Sequence, residues 1–112
     1  METIECVPIN VFKKSFGPIL TLLNENNVKY RITENRSGAV MASSGAIDVI
    51  VNASMWVSLA SVIIAFLKVK NSREIIIQTK DKKVIHAKGL DSKQLEKILK
   101  SAENITAIDP GT

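Results

Sequence analysis

The chain has 112 residues and a net charge of +4, with 46% hydrophobic, 23% charged and 4% aromatic residues. This length accommodates one hydrophobic core, so we expect a single domain over residues 1–112. The composition excludes an intrinsically disordered chain, and the single cysteine excludes a scaffold built on internal disulfides. The acidic N-terminal residues METIE lead into no apolar signal region, which predicts a cytoplasmic protein and leaves peripheral association with the inner membrane open.

The N-terminal third predicts a strand, a helix and a second strand. Residues 2–9 are typical of a short edge strand. Two helix starts then compete, at Asn10 and at Ser15, and apolar residues recur at helical spacing as far as Leu23. Residues 28–34 alternate between apolar and polar side chains, which predicts a half-buried strand.

The stretch Val49–Leu67 contains no charged residue and admits two interpretations. Its length suits a bilayer, which predicts a small membrane-associated protein that inserts residues 46–67. Alternatively, residues 35–45 form a loop that leads into one long apolar helix, Ser44–Lys70, packed on a sheet. We favour the core helix, because four polar residues dilute the apolar run and a hairpin follows closely behind it.

Small residues line one face of this predicted helix. They follow a 4-3-4 spacing, which places them one above another on a helical surface. Another backbone could approach closely along such a face, so we expect it to pack tightly or to meet a partner. The candidate contact residues on this helix are Ser54, Ser58, Ser61, Ala65 and the neighbouring Trp56.

The C-terminal part predicts a hairpin, a helix and an optional last strand. REIIIQT and KVIHAK are rich in β-branched residues and flank a charged turn. Asp91 and Gln94 approximate a capping box, and residues 105–108 suit a short strand. The expected fold class is α+β: a small, mostly antiparallel sheet covered by a long apolar central helix and two shorter helices. The expected order is β-α-β-α-β-β-α with an optional final strand.

No arrangement of residues predicts catalysis, a metal site or a cofactor site. His86 is the single histidine, and together with Cys6 it cannot supply the three or four ligands of a zinc site. A nucleophilic pair of Cys6 and His86 has no further signature to support it. The glycines also lack the spacing of a phosphate-binding loop. We therefore expect a protein that is not an enzyme and needs no cofactor.

Positive charge is concentrated between Lys68 and Lys100, where ten basic residues accompany four acidic ones. This excess of six suits an acidic protein partner or phosphate groups, unless it is only a solvated face. No aromatic residue follows Phe66 and arginine is scarce, which argues against a nucleic-acid-binding domain, although that remains an alternative. The candidate contact residues in this region are Lys80, Lys82, Lys83 and His86.

Four consecutive segments carry a resemblance: the loop SGAVMASSG, the apolar run WVSLASVIIAFLKVKNSRE, the hairpin IIIQTKDKKVIHAKGL and the helix DSKQLEKIL. In this order they resemble the effector-associated constant component domains of bacterial conflict systems. The resemblance implies a non-catalytic protein-binding module that associates with a toxin or effector, as an effector-associated component. Immunity proteins, which neutralise a toxin by binding it, are of similar size and class, so an immunity protein is a related possibility. The resemblance implies a protein partner, which the positive charge predicts to be acidic, and it leaves a homo-oligomer open.

Overall fold

The computed structural model describes residues 5–13, 15–35, 44–52 and 54–109, which form both strands and helices. The order of the elements is β-α-β-β-α-β-β-α-β. Their bounds are β1 Glu5–Lys13, α1 Phe16–Glu25, β2 Lys29–Asn35, β3 Ser44–Val51, α2 Trp56–Val69, β4 Glu74–Thr79, β5 Val84–His86, α3 Ser92–Leu99 and β6 Ala102–Asp109.

The described strands form one six-stranded sheet in the order β2-β3-β1-β6-β4-β5. The α+β class is as expected, but the small, mostly antiparallel sheet is wrong, because the sheet is larger and mixed. Its central neighbours β1 and β6 run parallel, whereas the other four pairings are antiparallel. The N-terminal strand, expected at an edge because of Pro8, is internal. Its ladder to β6 begins at Ile9, which leaves Pro8 outside that ladder.

Each half of the chain crosses over the sheet in the same way. The connection through α1 joins β1 to β2, which run parallel with β3 between them. The connection through α3 joins β5 to β6, which run parallel with β4 between them. Between these halves, α2 crosses from β3 to β4 and contacts both α1 and α3. The three helices therefore form one layer on one side of the sheet.

This single layer divides the strand side chains between two faces. Alternate residues such as Val7, Ile9 and Val11 of β1 are buried against the helices, and Ile47 and Ile105 continue the same row on β3 and β6. We call this side the covered face. The intervening residues lie on a side that no described helix covers, and they are half-buried or exposed. We call that side the open face.

The predicted long helix, Ser44–Lys70, is wrong. Residues 44–51 form strand β3, and the helix α2 has 14 residues and begins only at Trp56. The strand forms because β-branched residues dominate 47–51 and alternate between the two faces of the sheet. Asn52 separates the two elements, since its side-chain oxygen accepts hydrogen bonds from the backbone N–H and the hydroxyl of Ser54.

The division of this segment into a strand and a helix also bears on the predicted membrane insertion of residues 46–67. This segment is a strand at one end and a helix at the other, so it provides no continuous apolar helix. Within the described ranges, no helix combines the length and the apolar character that crossing a bilayer requires.

The other predicted elements are present with shifted bounds. Ser15 precedes α1 as expected, but its hydroxyl donates to the carbonyls of Phe12 and Ala107 and does not cap the helix. The hairpin is confirmed, and so is the capping box of α3, in which Asp91 and Gln94 exchange two hydrogen bonds. The optional final strand exists as β6 and is longer than predicted. Most of the predicted loop 35–45 lies outside the described residues.

Candidate binding surfaces

The structure spreads the helical candidate residues over different environments. Trp56 is only 5% exposed and belongs to the hydrophobic core. Ser54 is exposed just before α2, whereas Ser58, Ser61 and Ala65 are half-buried along the helix. The Ser61 hydroxyl donates back to a carbonyl of its own helix, so it is satisfied without a partner. A role of these residues in partner binding stays a prediction.

The three candidate lysines of the β4–β5 turn are exposed and accompanied by carboxylates. Lys82 lies 3.2 Å from Glu103, Lys83 lies 3.7 Å from Asp81, and Lys80 lies 3.9 Å from Glu5. Exposed ion pairs of this kind are weak, but they reduce the local positive potential. The turn that looked most basic in the sequence is therefore partly neutralised.

Hydrogen bonds within this turn also perturb a carboxyl group. The Thr79 hydroxyl donates to the Asp81 carboxylate, and this contact lowers the pKa of Asp81, with a further lowering from the charge of Lys83. The backbone N–H of Lys83 in turn donates to the Thr79 oxygen. Lys82 has a φ of 70°, which closes the turn. This network explains the turn as a structural element.

A second group of lysines has no such neutralisation. All four members lie in the basic region 68–100 and are exposed, and no carboxylate of the described residues lies within 4 Å of any of them. Lys29 shares these properties but lies apart from them, on the open face. We call them the unpaired lysines; they are Lys68, Lys88, Lys93 and Lys97. Sequence reasoning included them in the basic region but did not single them out. The four-residue spacing of Lys93 and Lys97 on α3 was a usable signal, because it places both on one helix face.

Two of the unpaired lysines border a groove between the C-terminal end of α2 and the loop before α3. The groove has a volume of about 330 Å³. Its lining combines aliphatic side chains with polar ones at the rim: Ile64, Leu67, Lys68, Asn71, Ala87, Lys88, Gly89 and Leu90. We call it the α2–α3 groove. Gly89 has a φ of 89°, which L-residues rarely adopt, so glycine suits this bend of the loop.

The open face is the side of the sheet that the described helices leave uncovered. A row of directly opposed residues crosses its centre, from Asn10 through Thr106 and Ile76 to His86. The other members share its mixed character: Cys6, Pro8, Phe12, Lys29, Arg31, Ala46, Asp48, Ile50, Glu74, Gln78, Val84, Asn104 and Ile108. Phe12 is 41% exposed and Val84 is 61% exposed.

Polar contacts occur near the middle of the open face, where the Asn104 amide donates to Gln78 at 3.2 Å, and also towards its sides. Arg31 and Asp48 approach to 3.4 Å on the β2–β3 side. On the opposite side, His86 lies 3.9 Å from Glu74. His86, the remaining candidate contact residue, is thus exposed on the open face. The open face thus mixes apolar side chains such as Phe12 and Val84 with polar ones, and such a mixture is typical of non-obligate protein interfaces.

The residues considered for catalysis do not come together. Cys6 lies on β1 and His86 on β5, with two strands between them, so strand spacing alone separates them by about 14 Å. Among the residues that the structure describes, no group of three histidine, cysteine or acidic side chains could hold a metal ion.

One charged cluster is buried beside the core, and its contacts explain it structurally. The guanidinium of Arg73 donates to the carboxylate of Asp109 at 2.9 Å and to the Phe66 carbonyl at 3.1 Å. It also lies 4.5 Å from the centre of the Phe66 ring. Lys70 approaches Asp109 to 3.5 Å. The cluster ties the end of α2 and the start of β4 to the end of β6.

No protein-family model, curated protein or solved structure matches this chain.

Proposed function

We propose that this chain is a non-catalytic protein-binding module of a bacterial conflict system, which associates with or neutralises a toxin or effector. The observation that carries the proposal is the open face. Helices cover one side of the sheet, and the other side presents apolar side chains mixed with polar ones over all six strands, a mixture typical of non-obligate protein interfaces. A partner that covers this face would bury side chains such as Phe12 and Val84, which are substantially exposed.

The resemblance supports the conflict-system part of the proposal. It rests on an apolar helix, a short basic segment, a hairpin and a short closing helix, and the elements α2 to α3 follow that order. The apolar helix is shorter than the resemblance implies. Whether the chain acts as an immunity protein or as an effector-associated component depends on the partner's own activity.

Co-expression with the products of the adjacent genes tests the proposal. We expect one of these proteins to copurify with the tagged chain, and we expect Thr106→Arg to abolish copurification. Thr106 lies in the central row of the open face, where a long cation would obstruct close contact. Growth of the co-expressing cells separates the two roles, since an immunity protein relieves the growth arrest that its toxin causes.

Val57→Arg provides the matched control. Val57 is 54% exposed on α2, on the other side of the molecule, so the variant adds the same side chain away from the open face. Circular dichroism should show both variants folded. The proposal fails if no adjacent gene product copurifies with the wild-type chain, or if the two variants retain the partner equally well.

Nucleic-acid binding is a second candidate function, and the unpaired lysines favour it. Four exposed cations without nearby carboxylates could contact phosphate groups. A fluorescence titration with a short duplex and a single strand tests this candidate. Binding would have to weaken steeply with salt and with Lys93→Glu plus Lys97→Glu. Tight binding that survives high salt would be incompatible with phosphate contact alone.

A further inference from the structure

The α2–α3 groove combines an apolar floor with positioned positive charge. Ile64, Leu67 and Leu90 contribute aliphatic surface that is only partly buried in the isolated chain. Lys88 donates a hydrogen bond to the backbone carbonyl of Asn71, which also lines the groove, and this bond holds the ammonium group beside it. Lys68 stands on the α2 side and has no carboxylate within 4 Å among the described residues.

From this arrangement we propose that the α2–α3 groove binds an acidic, leucine-containing segment of the partner protein. An aliphatic side chain of the segment fills the floor, and carboxylates on either side of it contact Lys68 and Lys88. The inference rests on the proposed function, because it names the chemistry of the partner that the module recognises. It adds a contact region on the helical side, separate from the open face.

The dimensions of the groove favour a short segment over a large ligand. Its volume of about 330 Å³ lies at the lower end of the range for small-molecule pockets, which is roughly 300–1,000 Å³. One or two aliphatic side chains suit such a space. The aliphatic floor offers no aromatic platform on which a nucleic-acid base could stack.

Charge complementarity determines where the carboxylates lie. The C-terminal end of α2 presents backbone carbonyls with partial negative charge, which disfavour an anion at the floor. The ammonium groups of Lys68 and Lys88 lie at the rim, where they can reach carboxylates that project towards solvent. The groove therefore requires an uncharged group at its floor and carboxylates at its rim. An apolar residue flanked by acidic residues satisfies both requirements. A uniformly acidic segment satisfies only one of them.

An NMR titration of the ¹⁵N-labelled full chain tests the proposal with three acetylated, amidated hexapeptides. Their sequences are Glu-Glu-Leu-Leu-Glu-Glu, Glu-Glu-Ser-Ser-Glu-Glu and Lys-Lys-Leu-Leu-Lys-Lys. We expect the first peptide to shift the resonances of Leu67, Gly89 and Leu90, and to bind at least about fivefold more tightly than either of the others.

Charge reversal separates the groove from general basicity. The double variant Lys68→Glu plus Lys88→Glu should weaken binding of the acidic leucine peptide by at least about fivefold. Lys93→Glu plus Lys97→Glu makes the same change of charge at unpaired lysines that do not line the groove, and it should have a smaller effect. All four positions are exposed, so both double variants should fold.

Several results would overturn the inference. Equal binding of the serine peptide would mean that only surface charge attracts the acidic residues. An equal loss in the two double variants would lead to the same conclusion. Shifts confined to the open face would place the contact elsewhere. Stronger perturbation of the groove by decanoate than by the leucine peptide would identify an acyl chain as its occupant.

The copurified partner distinguishes this inference from the proposed function. If the partner copurifies equally with the wild type and with Lys68→Glu plus Lys88→Glu, the groove inference fails and the proposed function stands. If no partner copurifies with the wild type, the proposed function fails, whatever the peptides do.

Discussion

The two faces of the sheet are made by the same strands but differ in burial and in polarity. On β6, Ile105 and Ala107 are fully buried under the helices, whereas the alternate residues Thr106 and Ile108 remain partly accessible. The covered face is nearly all aliphatic, and the open face mixes aliphatic, amide and charged groups. Successive strand residues point to opposite faces of the sheet. One set of side chains therefore stabilises the core, and the alternate set determines the chemistry of the open face.

The largest difference in stability should appear between the removal of a buried charge on the covered side and the removal of an exposed charge. Asp109→Ala leaves the buried guanidinium of Arg73 without its carboxylate partner, so the free energy of unfolding should fall by about 3–5 kcal/mol. Glu103→Ala removes one member of an exposed pair with Lys82 and should cost about 1 kcal/mol or less. Urea unfolding measures both. Equal losses would mean that burial of the Arg73 cluster contributes little to stability.

Matched isoleucines on β6 compare the faces directly. Ile105 is fully buried on the covered face, so Ile105→Ala should lower the free energy of unfolding by about 2–5 kcal/mol. Ile108→Ala on the open face should lower it by less than about half as much. The same urea measurement applies. A larger loss at Ile108 would show that another copy or element already covers the open face in solution.

A smaller loss of stability should follow from a substitution in the helix layer that covers one face of the sheet. Asp91 caps α3 by accepting a hydrogen bond from the backbone N–H of Gln94 at 2.8 Å. Asp91→Ala should therefore cost about 1 kcal/mol in thermal or urea unfolding. Ser92→Ala, at the next position, is the control and should change stability by less than about 0.5 kcal/mol. Equal effects would exclude capping as the cause.

The smallest effect on stability should come from the β4–β5 turn, which belongs to neither face of the sheet. The Thr79 hydroxyl lowers the pKa of Asp81 below its ordinary value of 3.8. A lowered folded-state pKa stabilises the protein above pH 3.8, and this contribution disappears as the pH falls through the folded pKa. The melting temperature of the wild type should therefore exceed that of Asp81→Asn at neutral pH, and the gap should narrow in acid.

An NMR titration of the Asp81 carboxyl carbon isolates the cause of this shift. In Thr79→Val the pKa of Asp81 should rise towards its ordinary value, because the donated hydrogen bond is gone. An unchanged pKa would assign the shift to the charge of Lys83 and to the backbone hydrogen bonds of the turn.

Local signals in the sequence were sufficient to predict the C-terminal hairpin and helix. The hairpin and α3 could be predicted because β-branched arms and the capping residues Asp91 and Gln94 act over a few residues. The division of residues 44–69 was missed, since freedom from charge is shared by a buried strand and a buried helix. The alternation of Ile47, Val49 and Val51, followed by Asn52, was the signal that could have separated them.

The surfaces were harder to predict than the elements. Which face of the sheet stays open depends on the helices crossing on the same side, which strand patterns do not specify. The pairing of the turn lysines also depends on distant carboxylates, such as Glu103 for Lys82. The unpaired Lys68 and Lys88 line the same groove only because α2 ends beside the loop before α3.

The parallel pairing of β1 with β6 has a consequence for the order of folding. Ile9 lies opposite Ile105, so the centre of the sheet joins two segments that are synthesised at very different times. Until β6 has left the ribosome, the nascent chain exposes one side of β1 as an unpaired edge. Closing this contact late is entropically costly and slow compared with forming the hairpin. Aggregation of the nascent chain through this edge is therefore favoured until β6 emerges.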